Sequence, residues 1–203
     1  MREPDNIRRV MEVGIDWMGF IFCQRSPRHL STPASEIPKI AARRVGVFVN
    51  ETVEEMRRKM DAYELGAIQL HGDEGRDICE ELRDHLPASV LLVKAISVKA
   101  ADDLLKCQAY EGVADYFLFD TKCESRGGSG KQFDWSVLDA YEADTPFLLS
   151  GGIGPDDVER VRDFQHPRCM GIDLNSCFEI APGVKDVVAL RHFVTSLKDK
   201  NNE

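Results

Sequence analysis

The chain lacks the features that would place it in several broad classes of protein. No stretch of its 203 residues approaches the ~18 consecutive apolar residues of a membrane-spanning helix, and its first residues, Met1 to Asp5, form no apolar signal region. Basic residues are also outnumbered, with 26 Lys and Arg against 35 Asp and Glu and a formal net charge of −9. These absences argue against a membrane or a nucleic acid as the main partner, whereas a small anionic ligand needs only a local cluster of donors.

The usual spacings of metal ligands are also absent. The six cysteines stand at positions 23, 79, 107, 123, 169 and 177. They form no Cys-x-x-Cys pair, and the sequence has no His-x-x-x-His pair, so we expect no metal site. Scattered thiols in a chain of this size fit a reducing compartment, and we expect a cytoplasmic protein.

Apolar residues make up 43% of the chain, which is enough for a sizeable core. Apolar runs and amphipathic segments alternate along the whole sequence. The runs predict strands at 15–22, 45–49, 67–70, 90–96, 116–119, 147–149 and 169–174. The amphipathic segments predict helices at 4–13, 33–42, 53–65, 74–86, 100–110, 136–141, 156–164 and 187–197.

Strict alternation of strands and helices predicts a parallel sheet with helical crossovers. The spacing of the units is typical of a (β/α)8 TIM barrel, and no composition shift divides residues 1–203 into two domains. The chain begins with a helix, however, and only seven strands are visible. Either the sheet is open, or the first β-strand is missing from this chain and belongs before Met1.

The stretch from Asp115 to Trp135 contains a strand that ends on a carboxylate, Asp120. A loop with three glycines follows, at positions 127, 128 and 130. Glycine lets backbone N–H groups approach an anion closely, because no Cβ intervenes. An acid at a strand end beside such a loop is typical of an α/β active site. A surface Asp followed by a flexible turn would give the same pattern.

Two further loops follow the last two predicted strands. Ser150-Gly151-Gly152 follows one strand, and Leu174-Asn175-Ser176 follows the next. Such a pair matches the usual phosphate site of barrel enzymes, in which backbone N–H groups, a hydroxyl and a helix dipole bind the anion. Two tight turns that need glycine for their geometry are the simpler interpretation of either loop alone. Together with the loop containing Gly130, they favour a phosphate site.

Taken together, several segments of the chain resemble one family, phosphoribosylanthranilate isomerase, a (β/α)8 enzyme of tryptophan biosynthesis. The resemblance covers essentially the whole chain. Its most specific parts are Gln69 to Glu74 and the spacing from Gly127-Gly128-Ser129-Gly130 to Phe133-Asp134-Trp135. The other matching segments are 19–22, 26–28, 45–50, 119–121, 150–152 and 182–186.

The resemblance implies an Amadori rearrangement of N-(5-phosphoribosyl)anthranilate to 1-(2-carboxyphenylamino)-1-deoxyribulose 5-phosphate. It implies no cofactor and no metal. An acid protonates the ring oxygen and opens the ring to a Schiff base, and a base then removes the C2 proton. Asp120 matches the general acid, which has to be protonated when it acts and so calls for a raised pKa.

The other site residues also follow from the resemblance. Arg28 matches the arginine that holds the carboxylate of the anthranilate part, and Asp173 matches an acid near the substrate with an orienting role. His71 lies at a strand end, and we expect it to be structural. The residues that match the phosphate loops are Gly130, Gly151, Gly152, Asn175 and Ser176.

The chain departs from the family pattern at its beginning. Relatives open with a strand of the form Lys-Ile/Val-Cys-Gly, whose cysteine is the general base, and residues 1–203 contain no such segment. We expect that Met1 is an internal methionine, that the chain as given has very low activity, and that its open strand edges favour a homo-oligomer or replacement of the strand. Cys177 stands where many relatives have glycine, so its side chain could crowd the phosphate loop.

Two other functions remain open at this point. The chain could be a non-catalytic barrel that binds a phosphate ligand, or a related phosphate-binding lyase or synthase. Such enzymes rely on a strand-end Lys or Glu, for which Lys94 is the candidate. Cys23, near the mouth of the barrel, could substitute for the missing base, although a free buried thiol is the ordinary interpretation.

Overall fold

The computed structural model describes residues 1–120 and 134–199. Its main sheet has seven strands: β1 Trp17–Ile21, β2 Arg43–Phe48, β3 Ala67–Leu70, β4 Leu91–Ser97, β5 Tyr116–Asp120, β6 Phe147–Ser150 and β7 Cys169–Ile172. A two-stranded hairpin follows, β8 Glu179–Ala181 and β9 Val184–Lys185. The α-helices are α1 Pro4–Met11, α2 Val53–Tyr63, α3 Arg76–His85, α4 Val158–Asp163 and α5 Val187–Asp199. None of these described helices is long and apolar enough to cross a membrane.

Each strand of the main sheet pairs in parallel with the next strand along the chain. Within the described residues, β1 and β7 stand at the two ends of this order and do not pair with each other. The prediction of seven parallel strands is therefore confirmed, and the arrangement is that of a (β/α)8 barrel with one strand missing. The gap lies between β7 and β1.

The sheet is curved, as the contact between Trp17 and Tyr116 shows. Their ring centroids are 5.4 Å apart in an edge-on arrangement, although β2, β3 and β4 lie between their strands in the sheet. The other face of the sheet packs against the helical segments through aromatic side chains. Phe119 contacts Phe147 at 4.6 Å and Tyr141 at 5.1 Å between ring centroids. Because apolar side chains cover both faces, the strands appear in the sequence as nearly continuous apolar runs.

The N-terminal segment lies against the open edge of β1. The backbone nitrogen of Met1 donates a hydrogen bond of 2.7 Å to the carbonyl of Gly19. The buried side chain of Asn6 exchanges two hydrogen bonds with the backbone of Lys185, at 2.9 and 2.8 Å. Asn6 thus pairs with β9 as a neighbouring peptide group would, and it ties the first helix to the hairpin.

The predicted helix at 33–42 is wrong. The structure has only a short 3-10 turn there, Ala34–Glu36, and Ile37 is already extended, with ψ 123°. Pro38 is the physical reason, because its ring disfavours the helical conformation of the preceding residue and it has no N–H to donate.

Three other predicted helices differ in type or length. The segments Ala101–Tyr110 and Trp135–Ala140 are 3-10 helices, and the helix predicted at 156–164 begins as the 3-10 turn Pro155–Asp157 before α4. The hairpin of β8 and β9 was not predicted. Its turn contains Pro182-Gly183, with Gly183 at φ 79°, a combination that is typical of a type II turn.

Candidate active site

Acidic, hydroxyl and imidazole side chains lie together at one edge of the sheet, because each stands at or just after the carboxyl end of a parallel strand. Asp120 is the last residue of β5, and Ser150 is the last residue of β6 and pairs with Asp120 in register. His71 follows β3, and Asp173 follows β7. The carboxyl ends of parallel strands meet at the same edge of a sheet, which is where barrel enzymes carry their active sites.

Asp120 is buried, and His71 approaches its carboxylate. Asp120 is 7% exposed, and Nε2 of His71 lies 3.8 Å from its Oδ2. On the other side of the ring, the amide nitrogen of Gln69 lies 2.8 Å from Nδ1 of His71. An amide nitrogen only donates, so Nδ1 accepts, and the neutral imidazole carries its proton on Nε2. That N–H faces Asp120.

Asp173 and Ser150 are joined directly across neighbouring strands. The hydroxyl of Ser150 donates a 2.8 Å hydrogen bond to Oδ2 of Asp173. The backbone N–H of Asp173 donates to the carbonyl of Leu149 and extends the pairing of β6 and β7 past the end of β7. Asp173 is therefore held in a fixed orientation beside the strand end that leads into the Gly151-Gly152 loop.

Gly151 and Gly152 adopt the backbone conformation that makes glycine necessary. Their φ angles are 104° and 70°, in the region that side chains other than glycine rarely adopt. The loop then closes onto the next turn, where the N–H of Gly154 donates to Asp157 at 2.7 Å. The thiol of Cys177 lies 3.6 Å from the carbonyl of Gly152. The two predicted phosphate loops therefore touch, and the side chain of Cys177 lies at their junction.

Asn175 and Ser176 are exposed at the start of a 3-10 turn after β7. The ammonium of Lys185 donates to both oxygens of Asn175, at 3.0 Å to the carbonyl and 2.8 Å to Oδ1. Lys185 lies in the segment 182–186 of the family resemblance but was not predicted as a site residue. Gly130, the remaining predicted phosphate residue, lies outside the described residues.

Arg28 is held by a carboxylate. It lies in the loop after β1, and its Nε donates to both oxygens of Glu179, at 3.0 and 2.8 Å, while Nη2 lies 2.7 Å from Oε2. The side chain of Glu179 is 5% exposed, and that of Arg28 is 26% exposed. Lys185 adds a second cation, 3.3 Å from Oε1 of Glu179. The pair joins the segments that follow β1 and β7, on either side of the gap in the sheet.

Burial and charge oppose each other in this cluster. Burial alone would raise the pKa of Glu179, but the hydrogen bond from Arg28 and the charges of Lys185 and Arg28 hold that pKa below its usual range. Burial is the main cause that lowers the pKa of Lys185, and the negative charge of Glu179 opposes it. The negative charge of Asp173 also acts on Lys185, so this cluster combines two cations with two carboxylates.

The sequence model of N-(5'-phosphoribosyl)anthranilate (PRA) isomerase matches residues 1–196. The chain belongs to this family. Among its relatives, the N-(5'-phosphoribosyl)anthranilate isomerase of Parabacteroides distasonis is 48% identical over 202 residues, which cover 97% of this chain and 90% of the relative. The isomerase of Phocaeicola vulgatus is 46% identical over 200 residues, which cover 98% and 96%.

Solved structures of the same family share the fold. The phosphoribosylanthranilate isomerase of Thermotoga maritima superposes with a TM-score of 0.80 at 31% identity, covering 98% of this chain and 95% of that one. A second isomerase structure, in complex with reduced 1-(o-carboxyphenylamino)-1-deoxyribulose 5-phosphate, superposes with a TM-score of 0.78 at 28% identity, with the same two coverages.

Lys94, the candidate catalytic residue if the chain were a related lyase or synthase, forms a buried ion pair. Its ammonium lies 3.0 Å from Oε2 of Glu74 and donates at 2.6 Å to the carbonyl of Gly72, and the two charged side chains are 3% and 2% exposed. Glu74 also accepts backbone N–H groups of Asn50 and Gly72. The pair therefore fixes the turn that follows His71. In the segment Gln69 to Glu74, which is characteristic of the isomerase family, Glu74 therefore stabilises the turn, while His71 faces Asp120.

Sequence reasoning missed three residues of the site. Gln69 sets the tautomer of His71. It precedes His71 by two positions, so the two-residue period of a strand places both side chains on the same face and could have identified Gln69. Glu179 and Lys185 had no such local signal. They reach Arg28 and Asn175 through contacts that form only in the folded chain.

Proposed function

We propose that this chain carries the site for the isomerisation of N-(5-phosphoribosyl)anthranilate to 1-(2-carboxyphenylamino)-1-deoxyribulose 5-phosphate, as one barrel domain. The observation that carries the proposal is the buried carboxylate of Asp120, faced by His71 at the carboxyl edge of the sheet. A carboxyl group in that position can hold a proton and release it to a substrate atom. Family membership supports the reaction class.

In the proposed mechanism, Asp120 gives its proton to the ring oxygen of the ribose. The bond between C1 and that oxygen breaks, and the lone pair of the anthranilate nitrogen forms the C1=N bond of a Schiff base. A base then removes the proton from C2, and its electron pair moves to give an enolamine. The enolamine becomes the ketone when C1 takes up a proton and the hydroxyl group on C2 gives up its own. The N–H at Nε2 of His71 stabilises the Asp120 carboxylate once its proton has left.

The two anionic ends of the substrate have separate binding groups in this proposal. Arg28 binds the carboxylate of the anthranilate part, because a guanidinium matches a carboxylate with paired donors. The loops containing Gly151, Gly152, Asn175 and Ser176, together with Gly130, bind the phosphate. Asp173, fixed by Ser150, orients the sugar between them.

We further propose that a strand preceding Met1 supplies the base and fills the gap between β7 and β1. The bond from the nitrogen of Met1 to Gly19 supports this, because a peptide N–H would make the same bond without burying a charge. Burial, aided by the charge of Lys185, lowers the pKa of the N-terminal ammonium to about 5. Residues 1–203 alone would then turn over slowly, and their open edges would favour a homo-oligomer.

An isomerase assay tests the proposal by following the loss of the substrate's anthranilate fluorescence. The protein is the chain extended upstream through a Lys-x-Cys-Gly strand, with Asp120→Asn as the variant and the exposed Asp5→Asn as the control. We expect turnover that falls about 10²- to 10⁴-fold in Asp120→Asn and is unchanged in Asp5→Asn. Turnover that survives Asp120→Asn would refute the assignment of the acid.

A further inference from the structure

The contact between Arg28 and Glu179 leaves only one edge of the guanidinium open. Nε and Nη2 are both occupied by the carboxylate of Glu179. Within the described residues, Nη1 has no hydrogen-bond partner, and the side chain is still 26% exposed. An incoming carboxylate can therefore use only the end formed by Nη1 and the second hydrogen of Nη2.

The carboxylate of Glu179 has two further partners besides Arg28. Its Oε1 accepts the backbone N–H of Gly183 at 3.2 Å and lies 3.3 Å from the ammonium of Lys185. Lys185 in turn donates to both oxygens of Asn175, and its backbone is clamped by Asn6. The orientation of Arg28 is thus set by a buried carboxylate on a hairpin that also contacts the phosphate-loop residue Asn175.

We propose that Glu179 is a positioning residue that selects for the carboxylate of the substrate by presenting the free end of the Arg28 guanidinium. The inference rests on the proposed function, since it assumes that Arg28 meets that carboxylate. An arginine without such a partner samples many rotamers, and ordering it would weaken binding. Glu179 contacts Arg28, which binds the substrate's carboxylate, and through Lys185 it is also connected to Asn175 in the phosphate loop.

Two effects of removing the charge of Glu179 can be separated by the choice of ligand. A lost negative charge strengthens the attraction for every anion, whereas a lost orientation of Arg28 weakens only ligands that bear the carboxylate. The probes are reduced 1-(2-carboxyphenylamino)-1-deoxyribulose 5-phosphate and its phenylamino counterpart, which lacks the carboxylate. The ratio of their affinities measures selection for the carboxylate alone.

The experiment measures both dissociation constants by calorimetry for residues 1–203, Glu179→Gln and Glu12→Gln. Glu12 forms an exposed pair with Arg191 at 3.3 Å, so its variant loses the same charge away from the site. We expect the affinity ratio to fall about 10-fold in Glu179→Gln and to stay unchanged in Glu12→Gln. Glu179→Asp, whose shorter side chain cannot keep both contacts, should lower the ratio as well and serves if Glu179→Gln does not fold.

Each other outcome refutes a specific statement. An equal loss of affinity for both ligands would show that Glu179 only supports the fold, and an increased ratio would show that it competes with the substrate for Arg28. Either result overturns the inference while the proposed function stands. If the unaltered chain binds neither ligand, the proposed function fails and the inference falls with it.

Discussion

Nε2 of His71 lies 3.8 Å from Oδ2 of Asp120, and its proton is directed at that carboxylate by the contact of Gln69 with Nδ1. The sequence suggested a structural histidine, and the structure gives it a partner in the candidate site. A neutral imidazole in this position favours the ionised form of Asp120 after proton transfer. In the proposed mechanism, His71 therefore acts through Asp120.

Replacing His71 by Phe should lower kcat about 10-fold and leave KM nearly unchanged, because Asp120 loses a donor that matters mainly after its proton has left. The fluorescence assay on the upstream-extended chain measures both constants. Gln69→Leu is the companion variant, since it frees the tautomer of His71, and it should give a smaller loss of kcat. A rise in KM with unchanged kcat would instead mean that His71 binds the substrate.

Replacing Lys94 by Met should destabilise the fold by about 3–5 kcal/mol, because it leaves Glu74 buried without its cation. Urea denaturation of the variant and the unaltered chain measures the difference. Lys106→Met is the control, because Lys106 pairs with Asp103 at an exposed position, where such pairs contribute at most about 1 kcal/mol. A loss of under about 1 kcal/mol in Lys94→Met would contradict the structural role of the pair.

Replacing Gly152 by Ala should weaken the binding of inorganic phosphate and cost about 1–2 kcal/mol of stability, because φ 70° is strained for a residue with a Cβ. Calorimetry and thermal unfolding measure the two effects. Gly171→Ala is the matched control, since a Cβ there would meet Leu148 at an ordinary 3.5 Å. If the unaltered chain and both variants bind phosphate with equal affinity, Gly152 is not part of the phosphate site.

Native alkylation at pH 8 should distinguish the cysteines. Cys79 and Cys107 are fully buried, and burial raises the pKa of their thiols to about 11 and about 12. Both therefore stay protonated at pH 8 and should resist iodoacetamide, while the half-buried Cys23 and Cys177 react. Mass spectrometry of the peptides identifies the modified residues. Rapid labelling of Cys79 or Cys107 would show that the core opens more readily than its packing implies.

The strands could be predicted because each is an apolar run between polar turns, and the place of Asp120 at a strand end could be predicted because it ends such a run. The helix at 33–42 could not be separated from a turn by hydrophobic pattern, and the decisive residue was Pro38. The pairing of Arg28 with Glu179 spans 151 positions. No local pattern contains such a contact, because it depends on where the folded chain places the hairpin of β8 and β9.

The proposed mechanism places its base in the gap between β7 and β1. Met1 already contacts Gly19 on the edge of β1, and Arg28 and Glu179 join the two sides of the gap. A strand placed there would bring its side chains to the same edge as Asp120.

The most direct test is the fluorescence assay of residues 1–203 beside the same chain extended upstream through a Lys-x-Cys-Gly strand, with a Cys→Ser version of the extension as control. We expect rapid loss of anthranilate fluorescence with the extended chain and at least about 10²-fold slower loss with the other two. Equal turnover by all three proteins would contradict this expectation, and Cys23 would then be the first residue to replace.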